Sequence, residues 1–167
     1  MDLKAYSSLA FFNGLSAADL EVLGPYFWSK RYVAGTVIFE QGERADIVYL
    51  MVSGGVTIRY KPLDGPPMIV THIQPGGIFG WSAAIGNQNY TSGAVCSMDS
   101  EVLCIRGADL RYLCETNPHL GNLLLERLSS VVAERKLKRQ QEVSLLITQG
   151  MRQIYCSEGD KDDGSKN

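Results

Sequence analysis

The stretch with the clearest chemical potential is Gln74-Pro75-Gly76-Gly77-Ile78-Phe79-Gly80-Trp81. Gly76, Gly77 and Gly80 permit positive φ and let a ligand approach the backbone closely. If a short helix begins at Trp81, the N–H groups of Trp81 to Ala84, Ser82 and Ala83 among them, leave its first turn unpaired. The positive end of the helix dipole adds to them, and together they can hold an anion. The plainer reading of the same glycines is a corner in a β-sheet. Nearby, Trp81 and Tyr90 supply aromatic surface, and Ser82, Thr91 and Ser92 supply neutral hydroxyls. Such a lining suits an apolar or aromatic ligand with a few polar handles.

Other chemistries find less support. A metal-dependent β-roll enzyme needs clustered histidines and a carboxylate. The chain has two histidines, His72 and His119, far apart in sequence. A lone strand histidine is a poor haem ligand candidate, and no cysteine precedes Cys96 to suggest an iron–sulfur sensor. Cys96, Cys104, Cys114 and Cys156 form no CxxC pair. Their apolar neighbours mark them as small buried thiols. The expectation is therefore no metal and no catalytic centre.

The elements that must position the glycine turn follow from periodicity. The chain has 167 residues, 45% of them apolar, and a net charge of −2 from 16 basic and 18 acidic residues. That balance excludes a strongly basic nucleic-acid binder and a disordered acidic chain. Seventeen glycines point to many tight turns and hence many strands. Residues 1–28 form an N-terminal helical segment. Within it Ser16 and Asp19 make a capping box, and Leu15, Leu20, Leu23 and Phe27 share a face.

Between 29 and 106 the period changes. Val37–Phe39, Ile47–Val52, Val56–Tyr60, Met68–Ile73, Ser92–Met98 and Glu101–Ile105 read as short strands between turn signals, with a short helix at Trp81–Ile85. This predicts a mainly β double-sheet roll with flanking helices. A short helix at 107–116 then precedes a long one, with Asn117 as cap and Pro118 in its first turn. The long helix is expected over 118–148, followed by a polar tail, 149–167. No apolar run reaches the roughly 18 residues of a membrane span, and the start lacks a signal peptide's pattern. A cytoplasmic protein is the expectation.

The run Gly42-Glu43-Arg44-Ala45-Asp46-Ile47-Val48-Tyr49-Leu50-Met51-Val52-Ser53-Gly54-Gly55-Val56 resembles strands of the cyclic-nucleotide-binding domain. The run Gln74 to Gly80 resembles the start of that family's phosphate-binding cassette, here 74–92. The likeness spans roughly residues 8–148. It is nearest to the sensor half of the catabolite-activator and fumarate-nitrate-reductase regulators. The resemblance implies a double-stranded β-helix (jelly-roll) fold with a long C-terminal helix. It also implies a ligand held by Gly76, Gly77, Phe79, Gly80, Trp81, Ser82, Ala83, Tyr90, Thr91 and Ser92. It implies a homodimer through helix 118–148, for which Leu124, Leu128 and Val131 fit a partner-helix stripe or packing onto the roll equally well.

The chain departs from the resemblance at two charged positions. Where nucleotide-binding members carry a glutamate for the ribose, this sequence has Trp81, which offers one donor and no acceptor. Where they carry an arginine for the cyclic phosphate, Thr91 stands nearest, and no arginine or lysine lies between Lys61 and Arg106. Each charge-assisted bond is worth about 1.5–3 kcal/mol, so losing both weakens cyclic AMP binding by about 100-fold or more. The expected ligand is a small molecule of another kind, or cyclic AMP bound weakly. The alternative is an interaction module whose cavity is filled by Trp81. Arg135 and Lys136 fall where the long helix of a relative reaches the base. The family's winged helix-turn-helix has no counterpart in the roughly 19 residues after Thr148, so the expectation is no direct DNA contact and action through a protein partner.

Overall fold

The computed structural model describes residues 1–130 and Ala133. Met1–Ser129 form one compact unit, and the remainder of the chain forms a second. Arg135, Lys136, Val131, the end of the long helix and the polar tail lie outside the described residues.

Eight strands build two four-stranded antiparallel sheets. They are β1 (Phe27–Tyr32), β2 (Val37–Phe39), β3 (Ile47–Ser53), β4 (Val56–Tyr60), β5 (Met68–Ile73), β6 (Ile78–Phe79), β7 (Gly93–Cys96) and β8 (Ser100–Arg106). One sheet runs β1-β8-β3-β6 and the other β2-β7-β4-β5. This is the expected jelly roll. The helices are α1 (Ala17–Leu23), α2 (Gly107–Thr116) and a third, α3, helical from 118 to 130.

The first sheet is covered on both faces, which is why β3 and β8 read as nearly unbroken apolar runs. Val48 pairs with Ile105 and Leu50 with Leu103, and these side chains share a small apolar cavity with Phe11, Leu110, Leu124 and Leu128 of the helical segments. At about 10 Å³ the cavity barely admits one water, and its walls give that water no partner. The intervening pairs, Tyr49 with Cys104 and Met51 with Val102, occupy the opposite face, toward the second sheet. That second sheet alternates more openly. Val56 and Ile58 are buried on β4, and Thr57, whose hydroxyl meets His72 Nδ1 at 3.0 Å, faces outward.

One expectation needs correction, and one open choice is decided. The N-terminal segment is not one helix but 3-10 turns at Leu3–Tyr6, Ala10–Phe12 and Gly24–Tyr26 around the single α1. Phe27 therefore does not extend a helical face. Pro25 sits in the last of these turns, and the chain leaves it extended as β1, paired along β8 from Phe27↔Ile105 to Tyr32↔Ser100. The capping box of α1 is present, with Asp19 N–H donating to Ser16 Oγ at 3.1 Å and Ser16 N–H to Asp19 Oδ2 at 2.9 Å. For the stripe on α3, which fits a partner helix or the roll equally well, the structure shows the second. Leu120, Leu124 and Leu128 are buried, and the latter two line the cavity against β3 and β8. Up to Leu128 the stripe is used on the protein's own sheet.

Polar contacts fasten the helical segments to that sheet. Arg127 donates to the carbonyls of Phe11 and Asn13. Glu101 on β8 accepts from Tyr6 at 3.0 Å, Ser29 at 3.1 Å and Arg31 at 3.3 Å. The Tyr6 hydroxyl, with Ser29 and Arg31, holds the Glu101 carboxyl below its usual value of 4.5. A depressed folded pKa contributes stability above the unfolded pKa that is lost as pH falls through the folded one. Melting temperature should thus fall more steeply for the wild type than for Glu101→Gln between about pH 5 and pH 3. Parallel melting curves would show that Glu101 carries no such linkage.

Candidate functional site

The glycine turn is placed by β3. Gly76, at φ +82°, donates its N–H to Met51 O at 2.8 Å, and Met51 N–H donates to Gly77 O at 2.8 Å. Ile78 and Phe79 then pair with Leu50 and Tyr49 as the two-residue β6. Gly80 follows at φ +71°, a conformation that favours glycine. A Cβ there would lie 2.8 Å from Ile47 O and 2.9 Å from the Tyr49 ring. No other residue fits between the turn and β3.

Trp81–Ala83 form a single 3-10 turn rather than a longer helix. Ala83 N–H is taken by Gly80 O and Ala84 N–H by Trp81 O. Among the described residues the N–H groups of Trp81 and Ser82 have no acceptor, so two amides are left unpaired rather than the expected four. Ser82 is only 4% exposed, yet its hydroxyl bonds no described residue. Trp81 is half-buried and stacks on no other ring among the described residues. The turn's back is sealed by α2. Arg111 Nη1 donates to Ala83 O at 2.9 Å, and a Cβ on Gly107 would lie 2.1 Å from that oxygen.

The far end of the segment is stitched to the approach to β3. Tyr90 N–H donates to Glu43 O at 2.8 Å, Gly42 N–H to Tyr90 O at 2.9 Å, and Ala45 N–H to Gln88 O at 2.9 Å. Pairing of this kind alternates side chains, and Asn89 and Thr91 are exposed while Tyr90 is 5% exposed. The Tyr90 ring stacks on Phe39 with centroids 3.8 Å apart. Phe39 stacks on Tyr49, and Tyr49 on Phe79 at 4.9 Å. The Tyr90 hydroxyl donates to Ile47 O at 2.8 Å and accepts from Ile47 N–H at 3.1 Å. Burial pushes the phenol pKa of Tyr90 up, and that of Tyr49 as well, so both stay protonated.

The structure thus brings Gly76, Gly77, Gly80, Trp81, Ser82 and Ala83 together at the turn. Phe79 and Tyr90 lie in a ring stack in the roll's interior, Thr91 faces solvent and Ser92 is half-buried. Arg44 lies opposite Asn89, with its Nε on Asp46 at 2.9 Å. Sequence reasoning missed Phe39, Ile47 and Tyr49 as Tyr90's partners, and missed Arg111 and Gly107 behind the turn. The inward phase of Tyr49 on β3 was the one available signal. Burial raises the thiol pKa values of Cys96 and Cys104, the latter to about 12, which makes both unreactive. Among the described residues no three metal-ligating side chains cluster. No described helix is long and apolar enough to cross a membrane.

The family described as "Cyclic nucleotide-binding domain" matches residues 29–117. The cyclic AMP receptor protein of Thermus thermophilus is 27% identical over 135 residues, covering 81% of this chain and 61% of the relative's length. The chain thus spans less than two thirds of that regulator. A solved candidate cyclic nucleotide-binding protein of Geobacter metallireducens is 30% identical, with TM-score 0.71, covering 81% of this chain and 98% of that one. A cyclic nucleotide-binding domain from Methylobacillus flagellatus shares the fold at TM-score 0.74 and 18% identity, over 85% of this chain and 80% of that one.

The paired hydrogen bonds at Ile47 carry a measurable cost. Tyr90→Phe keeps the ring and leaves both Ile47 backbone groups without this partner, which should lower stability by about 1–3 kcal/mol. Urea unfolding checks this, and an unchanged midpoint would mean water replaces the hydroxyl.

Proposed function

The chain belongs to the cyclic nucleotide-binding domain family, and on that premise we propose that it is a regulatory module whose cassette senses a small molecule other than a cyclic nucleotide. Cyclic AMP is at most a weak ligand. One observation carries this reading: the N–H groups of Trp81 and Ser82 and the Ser82 hydroxyl bond no described residue, and the one described side-chain cation that bonds the turn is Arg111, at Ala83 O. That guanidinium donates at the turn's back. Two amides and a hydroxyl suit a carbonyl, an amide or a hydroxyl better than a phosphodiester, whose charge calls for a charged partner.

The module's output lies in partners rather than in chemistry. No catalytic role is proposed, since His72 faces outward beside Thr57. We propose a homodimer contact that includes α3, made by surfaces other than the buried Leu124 and Leu128. A protein partner would carry the signal onward, and neither DNA contact nor membrane association is part of the reading. A cytoplasmic location accords with it. The stacked rings of Phe39, Tyr49, Phe79 and Tyr90 favour a second reading, in which the roll is filled and the chain serves only as an interaction module.

Calorimetric titration with cyclic AMP and cyclic GMP tests the first reading. The missing charged contacts predict affinity about 100-fold or more below that of a fully equipped site, and hence no saturable heat at micromolar nucleotide. Saturation at low micromolar concentration would overturn it. A thermal-shift screen of neutral metabolites then separates the two readings. A shift in melting temperature that Ser82→Val abolishes supports the sensor, and a uniformly silent screen supports the interaction module.

A further inference from the structure

Position 90, rather than 91, points into the roll from the far end of the cassette. Its neighbours Asn89 and Thr91 are exposed, while Tyr90 is buried and held by bonds from both its backbone and its hydroxyl. The hydroxyl ends at a significant atom. Ile47 O accepts from Tyr90 at 2.8 Å, and the same oxygen lies 2.8 Å from where a Cβ on Gly80 would stand. The phenol tip and the first residue of the cassette turn therefore flank one carbonyl. From that tip the rings run without interruption through Phe39 and Tyr49 to the underside of Gly80. The space between the turn and the second sheet is occupied by the protein's own aromatic ring.

We propose that Tyr90 is the residue that determines what this cassette admits: its ring and hydroxyl occupy the interior behind the turn and exclude a cyclic nucleotide. Only a ligand small enough to engage the rim, at the Trp81 and Ser82 amides and the Ser82 hydroxyl, is accommodated while Tyr90 stays in place. This rests on the reading of the cassette as the ligand seat. It adds a steric barrier to the one set by the missing charged side chains. A ligand entering the roll must first break two hydrogen bonds at Ile47 and separate the Tyr90–Phe39 stack, and so binds with its affinity reduced by the rarity of that open state.

The test is equilibrium binding of cyclic AMP to the wild type, Tyr90→Ala, Tyr90→Leu and Tyr90→Phe, with circular dichroism confirming each fold. Tyr90→Leu keeps apolar bulk against Phe39 and removes only the outer ring and hydroxyl, so it serves should Tyr90→Ala not fold. We expect the folded Ala or Leu variant to bind about tenfold more tightly than the wild type or better, a gain of about 1.4 kcal/mol. Tyr90→Phe, which gives up the two bonds at Ile47 but keeps the ring in the interior, should gain less than the Ala and Leu variants. No gain in the Ala and Leu variants, or an equal gain in Tyr90→Phe, overturns the role of Tyr90. Low-micromolar binding by the wild type would instead overturn the reading of the cassette itself, so the two failures are distinguishable.

Discussion

The strand pair β3–β8 is buried on both faces, and among the described residues β1, β6 and the cassette are registered to it. A strand's side chains alternate strictly, so a buried pair has two apolar faces that must each find a cover. Val48, Leu50, Leu103 and Ile105 find theirs in the helical segments, through Phe11, Leu110, Leu124 and Leu128. Tyr49, Met51, Val102 and Cys104 find theirs in the roll. A one-residue slip of β3 against β8 would exchange the two sets and leave neither cover matched. The same pairing sets the cassette, because β6 is fixed to Tyr49 and Leu50 and leads directly into Gly80.

Polar contacts lie where this frame meets its irregular parts. Glu101 gathers the Tyr6, Ser29 and Arg31 donors at the sheet's helical face. Arg111 and Gly107 bring α2 against Ala83, so the back of the cassette and the start of α2 move as one contact. Gly107 N–H also donates to Asp46 O, one residue before the Ile47 that holds Tyr90. The two ends of the cassette and the start of α2 are thus tied to adjacent residues of one chain segment.

Much of the fold was legible because periodicity and turn chemistry agreed. Val37–Phe39, Val56–Tyr60 and Met68–Ile73 match β2, β4 and β5 in full, and Ser16 with Asp19 marked the start of α1. Strand β1 escaped notice because it is an edge strand with Ser29, Lys30 and Arg31 in succession, so it has almost no apolar alternation to read. Strand β6 is two residues long, too short for any period. The stripe on α3 was visible, but a 3.6-residue period tells only that a face is apolar, not what covers it. For the cassette, the glycines were readable and the amides partly so. The inward turn of Tyr90 was not, because it depends on pairing with a segment some forty positions earlier, and a one-residue shift exchanges Tyr90 with Thr91.

That one-residue phase bears on how a family fold changes its ligand. The backbone of the cassette is constrained on all sides: by β3 through Gly76 and Gly80, by α2 through Gly107, and by the 42–47 segment through Tyr90. With the backbone held at these points, change falls first to the few side chains that face the interior. Removing a charged partner weakens an anion's hold but leaves the space open. Filling that space with a ring that satisfies its own hydroxyl closes it and stabilises the empty state at the same time. Tyr90 meets both conditions, since its stack on Phe39 fills the interior and its bonds to Ile47 leave no buried polar atom wanting. A binding fold can in this way keep its architecture, and the helices registered to it, while its interior ceases to require the ligand for stability.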